Sequence, residues 1–176
     1  MPKPSLHSIY KDQAEKNLRI LEDVSREIRS CTEWQITIAF YAALHLVKSH
    51  LAHCGFDCGD HTQLFGYLSG EDEKSTAIEP TLFDHYQALY KMSRRARYLF
   101  PKGGNPAPNS SNTAPIFTDQ DLFVALGYLS EVMAFYAKNY EVKFREYTIC
   151  AAVDAPPTPI QYFKIAKRAQ TVGTTA

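Results

Sequence analysis

Between Thr32 and His53 the chain reads TEWQITIAFYAALHLVKSHLAH, a stretch that as a helix is apolar on nearly every side. At helical spacing Trp34, Ile38, Tyr41 and His45 form one stripe, and Ile36, Phe40, Ala43, Val47 and Leu51 form a second. Two apolar stripes need two partners, so this helix is expected to be central in its domain, or shared between a core and a subunit interface. Thr32 followed by Gln35 predicts a reciprocal N-terminal cap. Ala39, Ala42 and Ala43 let a neighbour approach closely.

The flanking segments repeat the helical pattern. Residues 5–30 carry Tyr10, Ala14, Leu18, Leu21, Val24 and Ile28 at steps of three and four, with charged residues on the other faces. Cys31 joins this helix to the next over so few residues that the two should pack as an antiparallel hairpin. The run CGFDCGD ends the central helix, and Asp60 with Gln63 caps a short connector helix through Leu68. Residues 69–79 are polar and mostly acidic and read as an exposed loop. Pro80 then opens a helix to about residue 99, with Leu82, Tyr86, Leu89, Ser93 and Ala96 inward and Lys91, Arg94, Arg95 and Tyr98 opposite. Residues 101–118, rich in Pro, Gly, Asn and Ser, read as a long mobile loop. Thr118 with Asp121 caps a last long helix bearing Leu122, Ala125, Leu129, Val132, Met133 and Tyr136. Beyond that the pattern weakens, and residues 146–176 read as an irregular tail after a helical domain of residues 1–145.

At 176 residues, 45% hydrophobic, the chain suits one domain with a sizeable core. Its formal net charge of zero marks no global attraction to nucleic acid or membrane, so any such surface must be local. The beginning lacks the apolar run of a secretory signal, and the richest apolar run is too short to span a bilayer. Four cysteines with one close pair do not form a disulfide framework. A soluble, cytoplasmic protein with reduced thiols and no membrane contact is expected.

One charge asymmetry stands out. From His85 through Thr118 there is no Asp or Glu, while Lys91, Arg94, Arg95, Arg97 and Lys102 all occur. Guanidinium groups grip phosphate with paired hydrogen bonds, and the interleaved Tyr90 and Tyr98 offer rings on which unpaired bases stack. The bland alternative is a solvated face, or one paired with the acids of residues 71–73. Tyr41 and His45, one turn apart, form a candidate polar cleft, although a buried histidine satisfied within the core is the commoner arrangement. His53, Cys54, Cys58 and His61 are metal-ligand types, but the spacing matches no usual zinc pattern, and neither a metal nor any other cofactor is expected. No Gly-rich phosphate loop and no nucleophile motif is present.

The order of these signals resembles the HEPN family, small up-and-down four-helix bundles that are often homodimeric. The resemblance rests on residues 34–45 (WQITIAFYAALH), His61 in the connector, Tyr86 through Leu89 to the run SRRARY of residues 93–98, and FTDQD at residues 117–121. It covers roughly residues 5–142. Many family members are metal-independent ribonucleases with an Arg followed four to six residues later by a His. No Arg in this chain has a His in that window, and after Arg94 the corresponding positions hold Tyr98, Leu99 and Phe100. A phenol near its ordinary pKa is a poor base at neutral pH. The resemblance therefore implies a binding role more than a catalytic one.

The sequence thus predicts an all-α, HEPN-like four-helix up-and-down bundle with a short connector helix and an irregular C-terminal tail. Its expected function is non-catalytic binding of RNA, a nucleotide or a partner protein through Lys91, Arg94, Arg95, Arg97 and Tyr98, as a homodimer. The alternatives are a metal-independent endoribonuclease with a rearranged site of Arg94, Arg97 and His45, and a homodimeric structural adaptor without nucleic-acid contact.

Overall fold

The computed structural model describes residues 4–28, 31–70, 76–98 and 117–168. Among these the chain is mostly helical, with five helices followed by a small sheet. The helices are α1 (Leu6–Glu27), α2 (Thr32–His53), α3 (His61–Ser69), α4 (Pro80–Arg97) and α5 (Asp119–Tyr140), and the strands β1 (Tyr147–Ala151) and β2 (Phe163–Lys167). No helix among the described residues is long and apolar enough to cross a membrane.

Short-range chemistry sets most of the helix starts. The Ser5 hydroxyl accepts from the Ser8 amide at 3.2 Å, and Asp60 accepts from the Gln63 amide at 2.9 Å. Pro80 takes the first turn of α4, where its missing N–H costs nothing. Thr118 and Asp121 bond reciprocally, the Asp121 carboxylate accepting from the Thr118 amide at 2.8 Å. The start of α2 departs from expectation: Cys31 is the N-cap, with no side-chain cap bond, and Thr32 is already helical. Gln35 turns its amide nitrogen to the Cys31 sulfur at 3.3 Å in place of a backbone cap.

α2 packs against α1, α4 and α5, and α4 packs in turn on α5. Its second stripe is wholly enclosed: Ile36, Phe40, Ala43 and Leu51 are at zero exposure and Val47 is buried. All six predicted apolar positions of α5 are buried, as are Leu82, Tyr86, Leu89 and Ser93 of α4. Among the described residues the first stripe of α2 is only partly covered: Ile38 and His45 are half-buried, while Trp34 is 65% exposed and Tyr41 37%, so the expectation of a helix wholly enclosed within its own domain is corrected. The neighbours on α1 and α4 meet α2 on the flanks of that stripe and leave its crest in solvent.

One end of α2 is also tied by polar bonds. Ser49, fully buried, donates its hydroxyl to the His7 carbonyl at 2.7 Å and accepts from the Tyr136 hydroxyl at 2.7 Å. His7 Nδ1–H donates back to the Ser49 carbonyl at 2.9 Å. α1, α2 and α5 thus share one satisfied polar knot inside an apolar contact, where unpaired groups would be costly.

The irregular tail expected from residue 146 is a second correction. β1 and β2 pair in parallel, with Tyr147 opposite Phe163, Ile149 opposite Ile165 and Ala151 opposite Lys167. Tyr147, Ile149 and Ala151 alternate inward and are buried. β1 lies on α1, whose side chains take the place of a further strand: Glu22 accepts from the Thr148 amide at 2.7 Å and the Ser25 hydroxyl from the Cys150 amide at 3.1 Å. Arg145 pairs with Glu22 at 2.6 Å, and Arg168 donates to the carbonyls of Ser25 and Cys150 at 3.0 and 3.1 Å. The acidic loop at residues 71–73 and the loop expected over residues 101–118, up to residue 116, lie outside the described residues.

Two outcomes follow. Phe40→Ala should cost about 3–5 kcal/mol in urea unfolding, while Trp34→Ala should change stability by no more than about 0.5 kcal/mol. Arg145, and secondarily the Thr148 amide, hold the Glu22 carboxyl below its ordinary value of 4.5. The stabilisation is therefore present above that value and is lost as pH falls through the lowered one. Protection of the Thr148 amide against exchange, taken relative to its intrinsic rate at each pH, should fall selectively on acidification. Glu22→Gln should lose about 1 kcal/mol of that protection at neutral pH and show no further acid step.

Candidate functional site

The last two turns of α4 gather the basic residues around the end of its buried stripe, Leu82 to Ser93, with Arg94 and Arg97 half-buried and Lys91 and Arg95 exposed. Helical spacing then divides the cations. Arg94 and Arg97 lean toward α2 and α3, Arg95 leans toward the start of α5, with its guanidinium 5.5 Å from the Phe117 ring centre, and Lys91 is exposed.

Arg97 is the most ordered of them. Its Nε donates to the Ser93 carbonyl at 3.3 Å and one terminal nitrogen donates to the Tyr41 hydroxyl at 3.0 Å. The same guanidinium lies 5.5 Å from the ring centres of both Tyr41 and Tyr98. Arg94 lies 5.8 Å from the Tyr90 ring centre. A guanidinium on an aromatic face keeps its in-plane N–H groups free for another partner. Among the described residues no carboxylate pairs with Lys91, Arg94, Arg95 or Arg97; the ion pairs lie on α1 and around the sheet. Tyr98, 56% exposed, stands at the rim.

Tyr41 and His45 do not bond to each other. Tyr41 turns to Arg97, while His45 stacks on Tyr10 of α1 with ring centres 6.0 Å apart. The His45 Nδ1 is enclosed without a partner, and burial, with a smaller contribution from Lys48, moves its pKa below the ordinary value. Lys48, one step further along the same stripe, donates to the Cys58 carbonyl at 3.1 Å and lies 5.5 Å from the Tyr10 ring centre.

The imidazole that stands beside the arginines is His61. It occupies the first position of α3, behind the Asp60 cap, with its ring centre 4.7 Å from Tyr90, 5.8 Å from Phe40 and 6.2 Å from Phe65. Tyr90 therefore carries the Arg94 guanidinium and the His61 ring together. The sequence singled out His61 as a metal-ligand type and as part of the family resemblance, without a role beside the basic segment. A polar ring at a helix start beside a basic segment was the available signal, and the fold of the connector was needed to use it. The other three residues of that group separate: His53 lies against Tyr140 and His7, Cys58 is buried and Cys54 is exposed. Among the described residues no group of three or more His, Cys, Asp or Glu is placed to hold a metal ion.

Two open cavities lie elsewhere. One of about 400 Å³, between α5 and residues 156–161, is lined by Phe123, Val124, Pro159 and Ile160 and has only Glu131 as a charge. The other, of about 360 Å³, holds Arg168 but also Asp119 and Glu33, whose carboxylates offset it. The end of α4 is a surface ridge of cations instead, suited to an extended anionic ligand more than to an enclosed small molecule. No protein-family model matches the chain, and no curated protein sequence matches it.

Proposed function

We propose that this chain is a non-catalytic HEPN-like module that binds single-stranded RNA through the C-terminal end of α4. The observation that carries the reading is the pair Arg94 and Arg97, unmatched by carboxylates among the described residues and laid on Tyr90, Tyr41 and Tyr98. Two guanidinium groups held in this way present their free N–H groups to phosphate with little further ordering, and the exposed Tyr98 ring supplies a face on which a base stacks. The absence of an Arg followed by His at the family's spacing argues for binding without cleavage.

The same reading takes the four long helices as an up-and-down bundle of the HEPN kind, paired with a second copy along Trp34, Ile38 and Tyr41 of α2. The support for pairing is the uncovered apolar crest, and Trp34→Glu should convert a dimer to a monomer in sedimentation equilibrium. A wild-type protein that sediments as a monomer at every concentration rejects the pairing.

Binding should be read by fluorescence anisotropy of a labelled single-stranded RNA of about ten nucleotides. Two phosphate contacts predict a slope of about −1.4 for log affinity against log salt concentration. The double variant Arg94→Glu with Arg97→Glu should weaken binding by at least about tenfold and flatten that slope, with helical circular dichroism unchanged. Salt-independent binding, or an unaffected double variant, sinks the reading.

A further inference from the structure

We propose that His61 completes the anion site of Arg94 and Arg97, and that a phosphate bound there is met by its imidazolium, so that binding takes up one proton. This rests on the binding reading above and names a residue and a regulation that the reading does not contain.

The argument begins with position. The Asp60 cap fixes the first turn of α3, and the His61 ring is wedged between Phe40 of α2 and Tyr90 of α4, the same Tyr90 that carries Arg94. The next residue of α2, Tyr41, holds Arg97. The ring is thus placed beside both guanidiniums by contacts that do not depend on its charge. Its Nδ1 is enclosed and has no hydrogen-bond partner among the described residues, which leaves Nε2 as the atom that can meet an anion.

Charge then sets the state. The groups facing His61 are Arg94 and Arg97 of α4, Lys48 of α2 and the carboxylate of its own cap, Asp60. The other titratable rings around it are those of Tyr41, Tyr86, Tyr90 and, further along α2, His45, and none is a carboxylate. Three cations outweigh one carboxylate. Burial first, and then Arg97 and Lys48, move the His61 pKa below its ordinary value, so the free protein holds a neutral imidazole among arginines. A phosphate seated on Arg94 and Arg97 reverses the local balance. Its charge offsets the cations, the imidazolium becomes favourable, and the ring adds a third charged donor to the anion. Affinity must then rise as pH falls across the interval between the free and bound pKa values of His61, and level off outside it.

The test uses the full chain and RNA without terminal phosphates, since internal phosphodiesters keep a constant charge through this range. From about pH 8 to about pH 5.5 at fixed ionic strength, wild-type affinity should rise by up to about tenfold per pH unit in the steepest part. His61→Gln should remove that slope with helical circular dichroism unchanged, and His45→Gln should keep it. The NMR titration of the His61 ring in the unmodified protein provides a second measurement that needs no variant. RNA should displace it to higher pH, and the same displacement by sulfate, whose charge is also constant, supports the site as one for a free anion.

RNA binding with no pH dependence, a slope that survives in His61→Gln, or a His61 titration unmoved by bound RNA overturns the proposal and leaves the binding reading standing. Absence of RNA binding at every pH overturns the binding reading itself and this inference with it.

Discussion

The structure depends on the complete burial of one face of α2. Ile36, Phe40, Ala43, Val47 and Leu51 are removed from water by three helices at once, and α1, α4 and α5 have no other element that all of them touch. Apolar burial is the main favourable term available to a chain of this size, and here it is concentrated on one rod. The knot of Ser49, His7 and Tyr136 adds direction to that contact, because it is satisfied in only one placement of α1 and α5 on α2.

The positions of the candidate groups follow from that packing. Seating α4 on α2 and α5 uses its stripe from Leu82 to Ser93 and, among the described residues, leaves Lys91 and Arg95 exposed and Arg94 and Arg97 half-buried at its end. The cations are therefore gathered there, and only those leaning toward α2 find tyrosine rings. Arg97 is held by a bond to Tyr41, a residue that is available because its own stripe is only partly covered. The exposure of Trp34 and Tyr41 and the ordering of Arg97 are thus two results of the same arrangement.

The sheet shows how a polar helix face substitutes for a strand. Two parallel strands of five residues have little stability by themselves. Glu22 and Ser25 of α1 accept from the amides of β1, and Arg145 and Arg168 fasten the strands at their two ends. The polar face of α1, which in the sequence looks merely solvated, holds Glu22 and Ser25, the two acceptors that organise the C-terminal segment.

Local chemistry made much of the helical framework legible from residues alone. The caps at Asp60 and at Thr118 with Asp121, the opening Pro80, and the buried positions of α5 depend on neighbours within a few residues, and the structure places them as the spacing predicts. What lay beyond reach depended on partners distant in sequence. Periodicity marked Trp34 as apolar but could not say that it would stand exposed among the described residues, and the alternation of Tyr147, Ile149 and Ala151 was too short to distinguish a strand from a tail without α1 beneath it. The basic segment was visible as composition, whereas the division of its arginines, the bond from Arg97 to Tyr41, and the approach of His61 to Tyr90 required the connector and α4 to be folded against α2. Residues close together along the chain were enough to mark which segments are helices and where positive charge collects. Which of those charges share a surface was set by the folded chain, because side chains separated by dozens of residues meet only through packing, and packing is settled by the whole core at once.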